Sequence, residues 1–182
     1  ISDTNSGADI TLPYYFNIAP NVDSTLSARY KDGHGYLTEG ETRWLNTFDS
    51  WTVGGSYIDT DESFRDKSRW LVTVDEEGQL GDHISTAIDY TKISDSEFLR
   101  DLNTTSLTVN RASKLSQSMN IRYHSLNWDA GARIQRFQNI DPSLNQAKAS
   151  YEQQPDLWLN YQPAPRPSQL SPVIELRHSQ LE

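Results

Sequence analysis

Apolar and polar residues alternate with a period of two over most of this chain. Ile10, Leu12, Tyr14, Phe16 and Ile18 share one face of an extended segment, with Thr11, Pro13, Tyr15 and Asn17 on the other. Next, Val22, Leu26, Ala28 and Tyr30 oppose Asp23, Thr25, Ser27 and Arg29, until Lys31-Asp32-Gly33-His34-Gly35 ends the pattern as a turn. Pro20-Asn21, between these two runs, is ordinary turn chemistry and predicts a hairpin. Further alternating runs cover Tyr36 to Leu45, Ser50 to Ile58, Arg69 to Glu76, His83 to Thr91, Ser106 to His124, Trp128 to Gln138, Tyr151 to Tyr161 and Pro172 to His178. The pattern predicts an all-β chain of about ten strands.

One face of these strands is greasy and the other wet. Trp51, Val53 and Tyr57 oppose Ser50, Thr52 and Ser56, while Ile84, Thr86, Ile88 and Tyr90 oppose His83, Ser85, Ala87 and Asp89. The wet face carries charges deep within strands, notably Glu39, Glu41, Arg43, Arg122 and His124. A compact β-sandwich would bury apolar side chains there, so a polar lumen or bulk water is expected to face them. Longer connections follow even-numbered strands, at Asp59 to Ser68, Ser94 to Thr105 and Asn139 to Ser150. That asymmetry fits an antiparallel up-and-down meander, and closing such a meander into a barrel removes its unpaired edges. Gln162-Pro163-Ala164-Pro165-Arg166-Pro167 reads as a connection rather than a domain linker.

Composition changes the picture in a few places. The chain has 182 residues, net charge −9, no cysteine, and five Trp and nine Tyr against five Phe. Mean hydropathy is −0.71. No apolar run is long enough for a membrane-spanning helix, but a barrel strand needs only about 9–11 alternating residues, so low average hydropathy leaves a membrane open. The acidic balance and the lack of clustered Lys and Arg argue against a nucleic-acid partner. Without cysteine there are no disulfides or thiolate metal sites. Tyr14, Tyr15, Phe16, Trp44, Trp51, Trp70 and Trp128 fall near predicted strand ends, as either interfacial girdle residues or ordinary core aromatics. The chain opens at Ile1 without a signal-peptide pattern and ends in Leu181-Glu182, a pair often left by a cloning site, so an excised piece is expected.

Catalytic patterns are weak, and no catalytic residue, metal site or cofactor is expected. His34, His83, His124 and His178 are scattered and form no zinc pair. Asp82-His83 precedes Ser85 without a nucleophile-elbow motif. Asp59, Asp61 and Ser63 have the spacing of the first ligands of a calcium loop, but Phe64 stands where glycine is required.

The run Asp9-Ile10-Thr11-Leu12-Pro13-Tyr14-Tyr15-Phe16-Asn17-Ile18-Ala19-Pro20-Asn21-Val22-Asp23-Ser24-Thr25 resembles the LPYYWNIAPNxDxT motif that opens the barrel of the LptD family. Support continues at Ser68-Arg69-Trp70-Leu71, at Asp89-Tyr90-Thr91-Lys92-Ile93-Ser94-Asp95, at Phe137-Gln138 and at Tyr151-Glu152-Gln153-Gln154-Pro155. The resemblance implies that residues 1–182 are a partial outer-membrane β-barrel domain, a segment of a single barrel of about 26 strands in a Gram-negative outer membrane. It implies transport and assembly of lipopolysaccharide at the outer leaflet, with no covalent chemistry. The implied partners are lipopolysaccharide, an LptE-like lipoprotein plug in the lumen and an LptA-like periplasmic bridge whose contacts lie mainly outside this segment.

It further implies a lateral gate between the first and last barrel strands, which places Leu12, Pro13, Tyr14 and Tyr15 at the gate. Proline lacks a backbone N–H and deletes a ladder hydrogen bond wherever that N–H would face a neighbour. Pro13 is read as a gate residue, with an edge strand protected against aggregation as the alternative. Some relatives carry a second proline late in strand two, where this chain has Ala28. Arg29, Lys31, Arg43 and Arg122 could meet lipopolysaccharide phosphates or be solvated lumen charges. Two other readings stay open: a soluble all-β carbohydrate-binding module, which Trp and Tyr on a sheet would suit, and an outer-membrane enzyme barrel, which would need a catalytic constellation at one rim.

Overall fold

The computed structural model describes residues 7–104, 114–140, 152–163 and 173–178. Ten strands lie in them: β1 (Asp9–Ala19), β2 (Val22–Lys31), β3 (Gly35–Leu45), β4 (Asp49–Asp61), β5 (Lys67–Leu80), β6 (Ile84–Ile93), β7 (Lys114–His124), β8 (Trp128–Asn139), β9 (Glu152–Tyr161) and β10 (Ile174–His178). They form one sheet in sequence order, each strand antiparallel to the next, which is the predicted meander. A short helix, α1 (Phe98–Asp101), follows β6.

The register keeps each strand's alternation in phase with its neighbours. Thr11 faces Arg29, Arg29 faces Leu37, Leu37 faces Ile58 and Ile58 faces Arg69, so these residues make one row on one face. Leu71 and Ile93 pair in the next row. Onto these rows folds the connection after β6, where Phe98, Leu99 and Leu102 pack against Leu37, Ile58, Leu71, Ile93 and Leu115 as the buried apolar cluster. The covered face is called inner here and the opposite one outer. The outer face leaves Ile10, Leu12, Tyr14, Phe16, Ile18, Leu26, Val53, Tyr57, Val72, Met119, Ile121, Ile134, Leu157, Leu159, Ile174 and Leu176 exposed.

At the end away from the N-terminus of β1, tight turns join β1 to β2, β3 to β4, β5 to β6 and β7 to β8. At the other end, Gly33 and Gly35 take positive φ of 76° and 104° in the β2–β3 turn, a conformation in which a Cβ would be strained. The β4–β5 connection is shorter than the predicted Asp59 to Ser68, because β4 runs on through a register shift between Ile58 and Asp61. A polar stretch, Asp59-Thr60-Asp61, hides that continuation from the hydrophobic pattern. What is left is a 3-10 turn, Glu62–Phe64, followed by left-handed Arg65 and Asp66. Of the predicted strand from Ser106 to His124, residues 106–113 lie outside the described residues, as do the first residues of the predicted runs from Tyr151 and Pro172.

Pairing of β6 with β7 runs only from Ile84↔Tyr123 to Tyr90↔Gln117. Past that point a side chain does the work of a strand. The Gln138 amide donates to the Ile93 carbonyl at 2.9 Å and accepts from the Ile93 N–H at 3.1 Å, and Gln117 Nε2 donates to the Thr91 carbonyl at 3.3 Å. Backbone groups that would otherwise be orphaned are thereby satisfied.

Phe98 is fully buried beneath the connection. Phe98→Ala is expected to destabilise the protein by about 3–5 kcal/mol, the cost of a large core truncation. Urea unfolding of the variant against the parent checks this, and an unchanged midpoint would show that α1 does not seal the inner face.

Candidate functional site

The first strand is one edge of the sheet, and β10 is the other. Among the described residues β1 pairs with β2 alone. The phase of that ladder follows from one bond: Asp32 N–H donates to the Ala8 carbonyl at 2.8 Å. Register is unbroken from Asp9↔Lys31 to Asn17↔Asp23. Because hydrogen-bonded and non-bonded pairs alternate along an antiparallel ladder, Leu12–Ala28 and Tyr14–Leu26 exchange backbone bonds, whereas Thr11, Pro13 and Tyr15 turn their backbone groups away from β2. Pro13, paired with Ser27, therefore removes a donor from the free edge and takes nothing from the β1–β2 ladder. Ala28 keeps its N–H, directed at Leu12, so β2 is fully laddered onto β1. The side chains of Leu12 and Tyr14 point outward and those of Pro13 and Tyr15 inward, and all four are exposed.

The outer face is bordered by aromatic residues at both ends of the strands. Toward the N-terminal end of β1 lie Tyr30 and Tyr36, with ring centroids 5.0 Å apart, and the facing pair Tyr57 and Trp70. Toward the opposite end lie Phe16, Trp44, Trp51 and Tyr123, and Trp128, whose ring is tilted against that of Tyr161 with centroids 4.5 Å apart. At about 3.4 Å per residue, Tyr36 and Trp44 stand about 27 Å apart along β3, close to the apolar height of an outer-membrane barrel wall, about 25 Å. Tyr15 departs from this pattern, since its register position beside Thr25 is on the inner face.

The inner face is where the predicted charges gather. Arg29 holds Asp9 through two bonds, Nε to Oδ1 at 2.7 Å and Nη2 to Oδ2 at 2.6 Å, and lies 3.7 Å from buried Glu39. Its Nη1 donates to the carbonyls of Leu102 and Asn103 at 2.7 and 2.6 Å, and Lys31 Nζ donates to the Asp101 carbonyl at 2.5 Å. Arg43 is exposed and bonded to Asp23, with Glu41 half-buried two residues before it on the same face of β3. At the far end Arg122 Nε donates to Asp129 Oδ2 at 2.7 Å, His124 Nδ1 lies 3.1 Å from the same oxygen, and Trp158 Nε1 donates to Oδ1 at 2.7 Å. Gly131 makes room for this indole, because a Cβ there would overlap the Trp158 ring and the Ile121 carbonyl. Arg29, Arg43, Arg122 and His124 thus each meet an acid of this same chain, while Lys31 meets a backbone carbonyl.

Hydrophobic patterning missed the strongest of these groups. Arg69 is fully buried and donates to Asp61 Oδ2 at 2.7 Å, to both oxygens of Asp95 at 2.9 and 2.7 Å, and to Asp101 at 3.3 Å. Its guanidinium carbon sits 4.2 Å above the Phe64 ring. Asp61 also accepts from Ser63 N–H at 3.0 Å and lies 2.8 Å from His34 Nδ1, so the calcium-like spacing serves an arginine instead. Among the described residues no group of three or more His, Cys, Asp or Glu could hold a metal ion. An arginine and aspartates 8 to 32 residues apart leave no local signal. Together Arg29, Lys31 and Arg69 clamp residues 95–103 onto the inner face. Removing one partner of such a buried network costs about 3–5 kcal/mol.

A family model described as "LptD: LPS transport system D" matches residues 67–177. Among curated relatives, the LPS-assembly protein LptD of Aliivibrio fischeri is 34% identical over 160 residues, which are 87% of this chain and 20% of that protein. That of Ralstonia nicotianae is 33% identical over 158 residues, 87% of this chain and 19% of its own length. That of Pseudomonas savastanoi is 34% identical over 167 residues, 86% and 17% respectively. The chain spans about a fifth of the length of the curated relatives it matches.

Burial pushes the Asp95 carboxyl upward, but the hydrogen bonds from Arg69 and Ser94 and the charge of Arg69 outweigh it and hold the group below its ordinary value of 3.8. A depressed folded-state value stabilises the clamp above that ordinary value, and the stabilisation is lost as pH falls through the folded one. Amide hydrogen exchange at Leu99 and Leu102 is therefore expected to accelerate as pH drops below about 4, after correction for intrinsic rates, and Asp95→Asn to flatten that profile. A parent profile already flat would count against the clamp.

Proposed function

The chain belongs to the LptD family, and on that premise we propose that it forms one wall of a larger outer-membrane β-barrel that carries lipopolysaccharide to the outer leaflet of a Gram-negative cell. The single observation that carries this reading beyond family membership is the edge of β1, where Pro13 withholds a donor from the one side that β2 does not occupy. In a closed barrel that side meets the last strand. A seam lacking this bond parts more easily than one that has it, and Leu12, Pro13, Tyr14 and Tyr15 line it. Transport through such a seam needs no covalent step.

The outer face supports a bilayer as its surroundings. Contiguous apolar surface between two aromatic rows is what lipid contact calls for, and a soluble carbohydrate-binding sheet would leave it in water. The inner face, polar and internally ion-paired, suits a hydrated lumen. An LptE-like lipoprotein plug would bear on that face, and an LptA-like bridge would deliver lipopolysaccharide from the periplasm mainly through segments other than this one.

Two measurements test the reading. Val53 points outward and Thr52 inward on the same strand. In the intact protein, Val53→Arg is expected to lower folding stability in bilayers by about 2–4 kcal/mol while Thr52→Arg costs little. Equal effects would remove the membrane from the picture. At the seam, Pro13→Ala restores one donor, and one backbone hydrogen bond of about 0.5–1.5 kcal/mol corresponds to about 2- to 12-fold less opening. Slower arrival of lipopolysaccharide at the cell surface, followed with an antibody after induction, is the expected result. Aggregation of the variant at an unchanged transport rate would assign Pro13 to edge protection instead.

A further inference from the structure

The outer face holds one buried carboxylate, and a bilayer does not explain it. Glu76 faces Trp51 on β4 and Ile88 on β6, which puts it in the outward row with Val72 and Val74. It is only 5% exposed. Its Oε1 accepts from the Thr86 hydroxyl at 2.6 Å, while Oε2 is buried with no hydrogen-bond partner among the described residues. Buried carboxylate oxygens are ordinarily satisfied, because leaving one unbonded in apolar surroundings forfeits its solvation.

Glu76 lines a groove of about 500 Å³ with Asp49, Trp51, Ile88, Met119, Ile121 and Ile134. The volume is that of a small-molecule site. The groove runs across β4 to β8, and its lining includes two carboxylates and neither lysine nor arginine. An anionic head group would meet repulsion there, and a quaternary ammonium has no N–H to give to Oε2. A primary ammonium supplies both the charge and the donor, and alkyl walls match a lipid chain.

We propose that this groove binds a membrane phospholipid with a primary ammonium head, the ammonium donating to Glu76 Oε2 and the chain lying along Trp51, Met119 and Ile134. The assignment rests on the lipid-facing reading of the outer face and on nothing at the seam.

Trp51 reports occupancy. The intact protein is reconstituted in phosphatidylcholine vesicles doped with brominated-chain phosphatidylethanolamine or, in parallel, with brominated-chain phosphatidylcholine at the same bromine content. The quenching lost in Trp51→Phe isolates the signal of Trp51. Half-maximal quenching is expected at about a tenfold lower fraction of the ethanolamine lipid, the scale of a charge-assisted hydrogen bond. Glu76→Gln keeps an acceptor for Thr86 and is expected to abolish the preference, and Asp49→Asn to reduce it. Equal quenching by both lipids in the parent overturns the ammonium site while leaving the face in lipid. No quenching by either overturns the site and the lipid-facing reading together. A preference that survives in Glu76→Gln overturns the role of Glu76. The parent comparison stands even if a variant fails to fold.

Discussion

Backbone polar groups in a wall one strand thick have to be satisfied sideways, by the neighbouring strands, because neither face offers a second layer of backbone. The meander from β1 to β10, each strand hydrogen-bonded to the next in sequence, is the consequence. The two exceptions follow from the same constraint. Where β6 and β7 part, Gln138 and Gln117 supply the missing donors and acceptors from side chains. Where β1 ends the sheet, Pro13 leaves one donor out of an edge that would otherwise present a full row.

With the ladder satisfied, side chains are free to answer two different environments. Outward residues are mostly apolar and bordered by aromatics, while inward residues pair acid with base across adjacent strands, as in Asp23–Arg43, Arg122–Asp129 and Asp156–Arg177. The connection through α1 adds a patch of true core to the inner face. Its three apolar side chains would not hold a polar wall alone. The clamp works because Arg29 and Arg69, which neutralise acids on the inner face, also bond the connection, Arg29 through backbone carbonyls and Arg69 through carboxylates, and Lys31 adds one more carbonyl bond. Glu76 breaks the rule of the outer face, which is why it points to a ligand and not to stability.

Fold class, strand number and the assignment of faces were legible in the sequence, because a period of two forces alternate side chains to opposite sides whatever the strands pair with. Ile10 to Ile18 and Thr11 to Asn17 are separated as the pattern requires. Strand ends were less legible: Asp59-Thr60-Asp61 carries no hydrophobic alternation, yet the ladder extends through it by way of a bulge. Among candidate residues, Arg29 and Glu39 were visible as charges in a strand and do meet, whereas Arg69, Asp95 and Asp129 were not singled out.

The sequence by itself determined which side chains share a face, where turns fall, and that position 13 cannot donate a backbone hydrogen bond, since these are properties of neighbouring residues and of proline's ring. Only the tertiary structure decided that Pro13 withholds its donor from the free edge, that Asp61 serves Arg69 and that Glu76 lines a groove. Hydrogen-bond phase, long-range ion pairs and concavity all depend on how strands distant in sequence are brought into register, and no local pattern encodes that.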